Sequence, residues 1–168
     1  MENKHIYLLA QFDADTNKLL ADIYQKLNLA GLKGKQTPNL PYHFTLSWFN
    51  AERENQVIDF TEKACQSIKS FDIQLSHIGL FGLEVLFIAP TINREFLHLH
   101  DTLAPRESTS DNHDWVAHST IIIDEPPSIQ KALPIVAQSF SPITAKIESI
   151  GVYEFFPTRF IKNIYLSS

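Results

Sequence analysis

One cysteine, Cys65, is all that the chain contains. No intramolecular disulfide can form, which fits a reducing cytoplasm and makes that compartment the expectation. No apolar run approaches the ~18 residues that a membrane-spanning helix needs. The opening residues, Met1 to Ile6, lack the positive patch and apolar segment of a secretion signal. A basic surplus is missing as well. Lys and Arg number 14 against 19 Asp and Glu, a net charge of −5. Proteins that grip a long duplex through many phosphates carry the opposite balance. A phosphate-bearing partner is therefore expected to be a small nucleotide or a strand end, with no membrane and no long duplex involved.

What is present is an ordinary globular composition, 44% hydrophobic and 20% charged over 168 residues. That suffices for one sizeable core or for two small lobes sharing one. Apolar periodicity predicts strands over 6–12, 72–78 and 85–89, with Pro90 ending the last, and closing strands over 143–153 and 160–166. Helices are predicted after Asp13, with Leu19, Leu20, Ile23 and Leu27 on one stripe and Gly31 as the stop, and over 51–70. Two more are predicted over 92–103, on a stripe of Ile92, Phe96, Leu99 and Leu103, and over 128–140, kinked or shortened by Pro134. Gly79 and Gly82 suggest a turn or bulge. Residues 34–41 read as a turn-rich connection, and 105–114 as a polar loop without period.

Two segments repeat one pattern. His43-Phe44-Thr45-Leu46 and His118-Ser119-Thr120-Ile121 each read His-x-Thr-aliphatic inside a predicted strand, over 42–49 and 116–124. Residues i and i+2 of a strand share a face, so each histidine should stand beside its threonine while Phe44 and Leu46 enter a core. An imidazole and a hydroxyl presented together, twice, suit a symmetric phosphate site.

The surrounding order also repeats. Strand, helix, motif strand, helix and strand fill roughly residues 5–80, and the same order returns over 85–166. Internal repetition is a statement about architecture. The fold expected is α+β: two pseudo-symmetric lobes, each an antiparallel or mixed sheet with flanking helices, around a central cleft, in a single domain over 1–168.

On these motifs the chain resembles the two-histidine (2H) phosphoesterase superfamily, which includes the RNA 2′,3′-cyclic phosphodiesterases, or 2′-5′ RNA ligase-like proteins. The resemblance spans nearly the whole chain through length, lobe order and motif placement. Family members commonly carry proline before the second motif histidine, where this chain has Ala117. The resemblance implies metal-independent phosphodiester chemistry without a cofactor. The implied substrate is a 2′,3′-cyclic phosphate, a 2′-5′ linkage or a cyclic ADP-ribose ester, on nucleotides or RNA ends, and relatives that run the reaction in reverse add a 2′-5′ RNA ligase activity.

Such chemistry needs one proton removed from water and one given to the leaving oxygen. Imidazoles have an unperturbed pKa of about 6.5 and can do both near neutrality. His43 and His118 are therefore the expected acid–base pair, with Thr45 and Thr120 donating to the non-bridging oxygens. Phe12, Trp48, Trp115 and Tyr153 are candidate base platforms, and Arg159 a candidate cation at the rim. Ser119 should face away from Thr120. His98 and His100 fall on a helix at i, i+2 and point apart, so they and Asp101 read as a solvated face rather than a metal site. Cys65 reads as a core thiol. The rival reading is a nucleotide- or RNA-end-binding module that uses the same cleft without turnover.

Overall fold

A computed structural model describes residues 4–106, 108 and 114–168. The elements run β1 (His5–Phe12), α1 (Ala14–Leu29), β2 (His43–Asn50), a 3-10 turn (Ala51–Arg53), α2 (Glu54–Ser67) and β3 (Phe71–Phe81). They continue with β4 (Val85–Thr91), α3 (Arg94–Leu103), β5 (Ser119–Ile123), α4 (Pro126–Ser139), β6 (Ile143–Phe155) and β7 (Arg159–Tyr165). The fold is α+β, with an antiparallel seven-stranded sheet in the order β2-β1-β6-β3-β4-β5 and β7 also paired to β6. Among the described residues no helix is long and apolar enough to cross a membrane.

Helix ends follow their capping chemistry. The Asp13 carboxylate accepts from the Thr16 backbone N–H, and the Asn93 side chain accepts from that of Phe96 at 2.9 Å. Gly31, just past α1, has φ +82°, a left-handed turn that glycine takes without steric cost. Pro126 and Pro127 open α4, where no N–H is missed.

The two halves exchange their last strands. β3, which ends the first half, pairs along its second part with β4 (Gln74↔Thr91 to Phe81↔Val85). β6, in the same place in the second half, pairs along its later part with β1 (Phe12↔Ile147 to His5↔Phe155). The initial parts of β3 and β6 pair with each other, Phe71↔Ile147 to Leu75↔Ile143. Each half thus completes the other's sheet. One apolar cluster runs through both, from Leu8 and Phe44 to Phe96, Ile88 and Ile129. Ile73 and Leu75 are buried while Asp72 and Gln74 are exposed, the alternation a half-buried strand requires.

Several local expectations are corrected. Leu19 is 48% exposed, so the α1 stripe is Leu20, Ile23 and Leu27. Ile92 is 41% exposed and precedes α3. β4 continues through Pro90, which lies opposite Leu75 beside a bulge. α4 runs unbroken past Pro134, held by buried Ile129, Ala132 and Val136. Gly79 sits within β3, while Gly82 makes the turn to β4 with φ +52°. Of the polar loop expected over 105–114, residues 107 and 109–113 lie outside the described residues, His113 among them.

Candidate active site

Both motifs alternate as a strand demands. Phe44 and Leu46 are fully buried, and His43 and Thr45 are half-buried on the opposite face. Ser119 and Ile121 are buried, with His118 and Thr120 half-buried. β5 begins at Ser119, so His118 stands at its threshold while His43 opens β2.

The two motifs share an irregularity that sequence did not reveal. In β2, Thr45 pairs with Leu9 and Ser47 with Leu8, leaving Leu46 as an extra residue. In β5, Thr120 pairs with Phe87 and Ile122 with Leu86, leaving Ile121 extra. A bulge therefore follows each motif threonine and turns the next residue, Ser47 or Ile122, into the interior. Across the sheet the match extends further. Leu9 lies between Thr45 and Gly151, and Phe87 between Thr120 and Gly79. A Cβ on Gly79 would collide with the Phe87 ring, so the glycine makes room for that ring.

The imidazoles are oriented alike. Nδ1 of His43 lies 2.8 Å from the carbonyl of Pro41, and Nδ1 of His118 lies 2.7 Å from that of Val116. A carbonyl only accepts, so Nδ1 carries the proton in both rings and Nε2 is left for a ligand. Burial pushes the His43 pKa down to about 4, against the Pro41 carbonyl, which favours the charged ring. The neighbouring His118 lowers it further. The His118 ring rests edge-on against Phe81, centroids 4.7 Å apart, and tilted against Phe87 at 5.3 Å.

A cavity of about 740 Å³ opens at His43, Thr45 and Thr120. One wall is the sheet face bearing Tyr7, Leu9 and Phe155, with Phe156 at its edge. The other is residues 33–42, tied to the end of β5: Lys35 N–H donates to the Ile123 carbonyl, and Ile123 N–H to the Gln36 side chain. Asn17 on α1 fixes the start of β2 by accepting from the Tyr42 N–H at 2.9 Å. Ser119 is fully buried at the cavity wall, and its hydroxyl has no partner among the described residues. No group of three or more His, Cys, Asp or Glu among the described residues could hold a metal ion.

The remaining candidates scatter. Phe12 is 3% exposed and packs edge-on against Phe44, on the core face of β1, so it is no base platform. Arg159 is bound by Glu54 and Glu154 instead of lining the cavity. Those carboxylates raise its pKa, and Arg159 in turn lowers that of Glu154. Tyr153 is buried beneath the cavity in a cluster with Leu9 and Phe155. Trp48 stacks on Tyr7. Trp115 is a strut: its indole N–H donates to the Thr45 carbonyl at 3.0 Å, and its ring stacks on His100 at 3.8 Å. His100 is thus half-buried, not on a solvated face, and burial lowers its pKa. Cys65 is buried in α2, its thiol pKa pushed up to about 11.

Sequence reasoning missed Tyr7, Phe155, Phe156 and Lys33. The available signal was parity, since Tyr7 and Leu9, or Tyr153 and Phe155, stand two apart on one strand face.

The family model of the 2′-5′ RNA ligase superfamily matches residues 12–155, a span containing both motifs. No curated protein matches the chain. Among solved structures, E. coli LigT complexed with 3′-AMP is similar at a TM-score of 0.68 and 14% identity, over 99% of this chain and 100% of that one. E. coli LigT complexed with phosphate gives 0.66 at 16%, over the whole of both chains. The protein TT0787 of Thermus thermophilus gives 0.65 at 13%, over 96% of this chain and 97% of that one. With fold and family model in agreement, the chain belongs to the 2′-5′ RNA ligase superfamily of two-histidine phosphoesterases.

Proposed function

We propose that this phosphoesterase opens 2′,3′-cyclic phosphates of nucleotides or RNA ends, or a related 2′-5′ or cyclic ADP-ribose ester. Residues 5–80 and 85–166 act as one bilobal catalytic unit. The observation that carries the reading is the matched anchoring of two imidazoles, each by Nδ1 to the carbonyl two residues before it, each beside a threonine. Complexes of E. coli LigT with 3′-AMP, ATP and NADP+ support a small nucleotide as the ligand.

His43 is the base, because its lowered pKa leaves Nε2 unprotonated at neutral pH. As water attacks phosphorus, its proton passes to that nitrogen. The bond from phosphorus to one ribose oxygen breaks, and that oxygen takes a proton from Nε2 of His118, which enters the step as an imidazolium protonated on both nitrogens. Thr45 and Thr120 donate hydrogen bonds to the non-bridging oxygens, where charge grows. Positioned acid–base groups each contribute about 10² to 10⁴-fold. The base rests against Tyr7, Phe155 and Phe156, where stacking is worth about 1–3 kcal/mol per base. The scheme uses no cofactor.

The test is incubation of a nucleoside 2′,3′-cyclic phosphate with the protein in excess EDTA, with products assigned by phosphorus NMR. Ring opening to a single nucleoside monophosphate is expected. Saturable binding without turnover would make the protein a binding module instead.

A further inference from the structure

The cavity is roomier than a cyclic phosphate and one base require. At about 740 Å³ it lies well inside the range that holds ligands of drug size. Its wall has three chemical zones: His43, Thr45 and Thr120 of the motifs, the aromatic face of Tyr7, Phe155 and Phe156, and residues 33–37. The third zone carries the positive charge. Among the described residues Lys33 is the single lysine or arginine that lines the cavity, and no described carboxylate lines it. Lys35, two residues on, is spent in an ion pair with Glu125 at 2.9 Å and helps hold the segment to β5. Lys33 has no carboxylate partner among the described residues.

The backbone beneath Lys33 is fixed. Its carbonyl accepts from the Tyr24 hydroxyl and from the Gln36 amide, both at 2.8 Å. Gly34, with φ +75°, packs against Ile122 and Ile123 so closely that a Cβ would clash. A chain of net charge −5 repels polyanions at long range. Among the described residues the cavity holds one unpaired lysine and no acid, which favours an anion there.

We infer that Lys33 forms a second anion subsite, and that the preferred ligand carries a second phosphate one nucleoside away from the reacting one. This rests on the function proposed above and names its substrate class. The second phosphate is either a terminal 5′-monophosphate or an internucleotide diester.

The test compares calorimetric Kd values for a nucleoside 3′-phosphate and the corresponding 3′,5′-bisphosphate, in the wild type, Lys33→Met and Lys33→Arg. It is paired with kcat/KM for a 2′,3′-cyclic nucleotide bearing a 5′-hydroxyl, a 5′-phosphate or a 5′-linked nucleotide. The wild type should favour the second phosphate about tenfold, the effect of one charge-assisted contact. Lys33→Met should bring that ratio close to one, and Lys33→Arg should retain it. A gain limited to the 5′-phosphate identifies the terminal group, and a gain shared by the dinucleotide identifies the diester. Equal wild-type affinities, or a ratio untouched by Lys33→Met, would overturn the inference. A lysine-dependent ratio in binding without turnover of any cyclic substrate would sustain the subsite and defeat the proposed hydrolysis.

Discussion

Replacing Trp115 by phenylalanine removes one hydrogen bond and the five-membered ring of the indole, which packs against the core. The bond runs from the indole N–H to the Thr45 carbonyl at 3.0 Å. The indole stacks on His100 at 3.8 Å and lies 5.3 Å from the Phe96 centroid, and a phenyl ring fills part of the same space. One such bond is worth about 0.5–1.5 kcal/mol net, so with the lost ring contacts Trp115→Phe should lower unfolding free energy by at least about 1 kcal/mol. For a chain of this size that is a Tm shift of about 2–4 °C. The catalytic cost should be larger in proportion. Trp115 sits three residues before His118 and holds the backbone of Thr45, so the strut fixes one motif against the other. A misplacement of about 1 Å between reacting groups costs about 10²-fold. Trp115→Phe should therefore lower kcat by about ten- to a hundredfold with a smaller change in KM. Urea unfolding and steady-state turnover of a cyclic nucleotide measure both. Cys65→Ala, buried on α2 and absent from the cavity lining, supplies a variant that loses stability without touching the strut. Turnover by Trp115→Phe within about twofold of wild type, or equal kinetic losses in both variants, would refute the reasoning.

Four further outcomes are expected. The His43 ring should titrate near pH 4 by imidazole proton NMR, not near 6.5, and the acid limb of kcat/KM should fall in the same low range. Because the folded pKa lies below the unfolded one, the unfolded chain binds that proton first, and stability should fall as pH drops from about 6.5 to about 4. Gly79→Ala should cost about 1–3 kcal/mol through overpacking against Phe87, and should slow turnover because that ring supports His118, as melting and kinetics would show. Arg159→Met, which breaks the bridges to Glu54 and to the buried Glu154, should leave turnover within about twofold of wild type, since none of the three lines the cavity.

The motif histidines and threonines were legible because short-range alternation alone sets which face they share. The order of elements was legible for the same reason, through the apolar periods of 2 and 3.6. Phe12 was misplaced because β1 is apolar on both faces, Ile6, Leu8 and Ala10 toward the core and Tyr7 and Leu9 toward the cavity. The outer face is marked as polar only at its ends, by His5 and Gln11, so the strand announces its parity weakly. The bulges at Leu46 and Ile121 have no local signature, since neither residue is a glycine and pairing with β1 and β4 defines them. Arg159 depended on the turn between β6 and β7, which hands it to Glu54 on α2. Lys33 was invisible because only tertiary folding brings residues 33–37 against β5 and into the cavity.

Two imidazoles from different halves of the chain act on one phosphate in the proposed reaction. Single-turnover rates for His43→Ala, His118→Ala and the double variant, on one cyclic nucleotide, test it most directly. Each single variant should lose at least about 10²-fold, and the double variant should fall by far less than the product of the two losses. A near-native rate in either single variant, or strictly multiplicative losses in the double, would contradict the account.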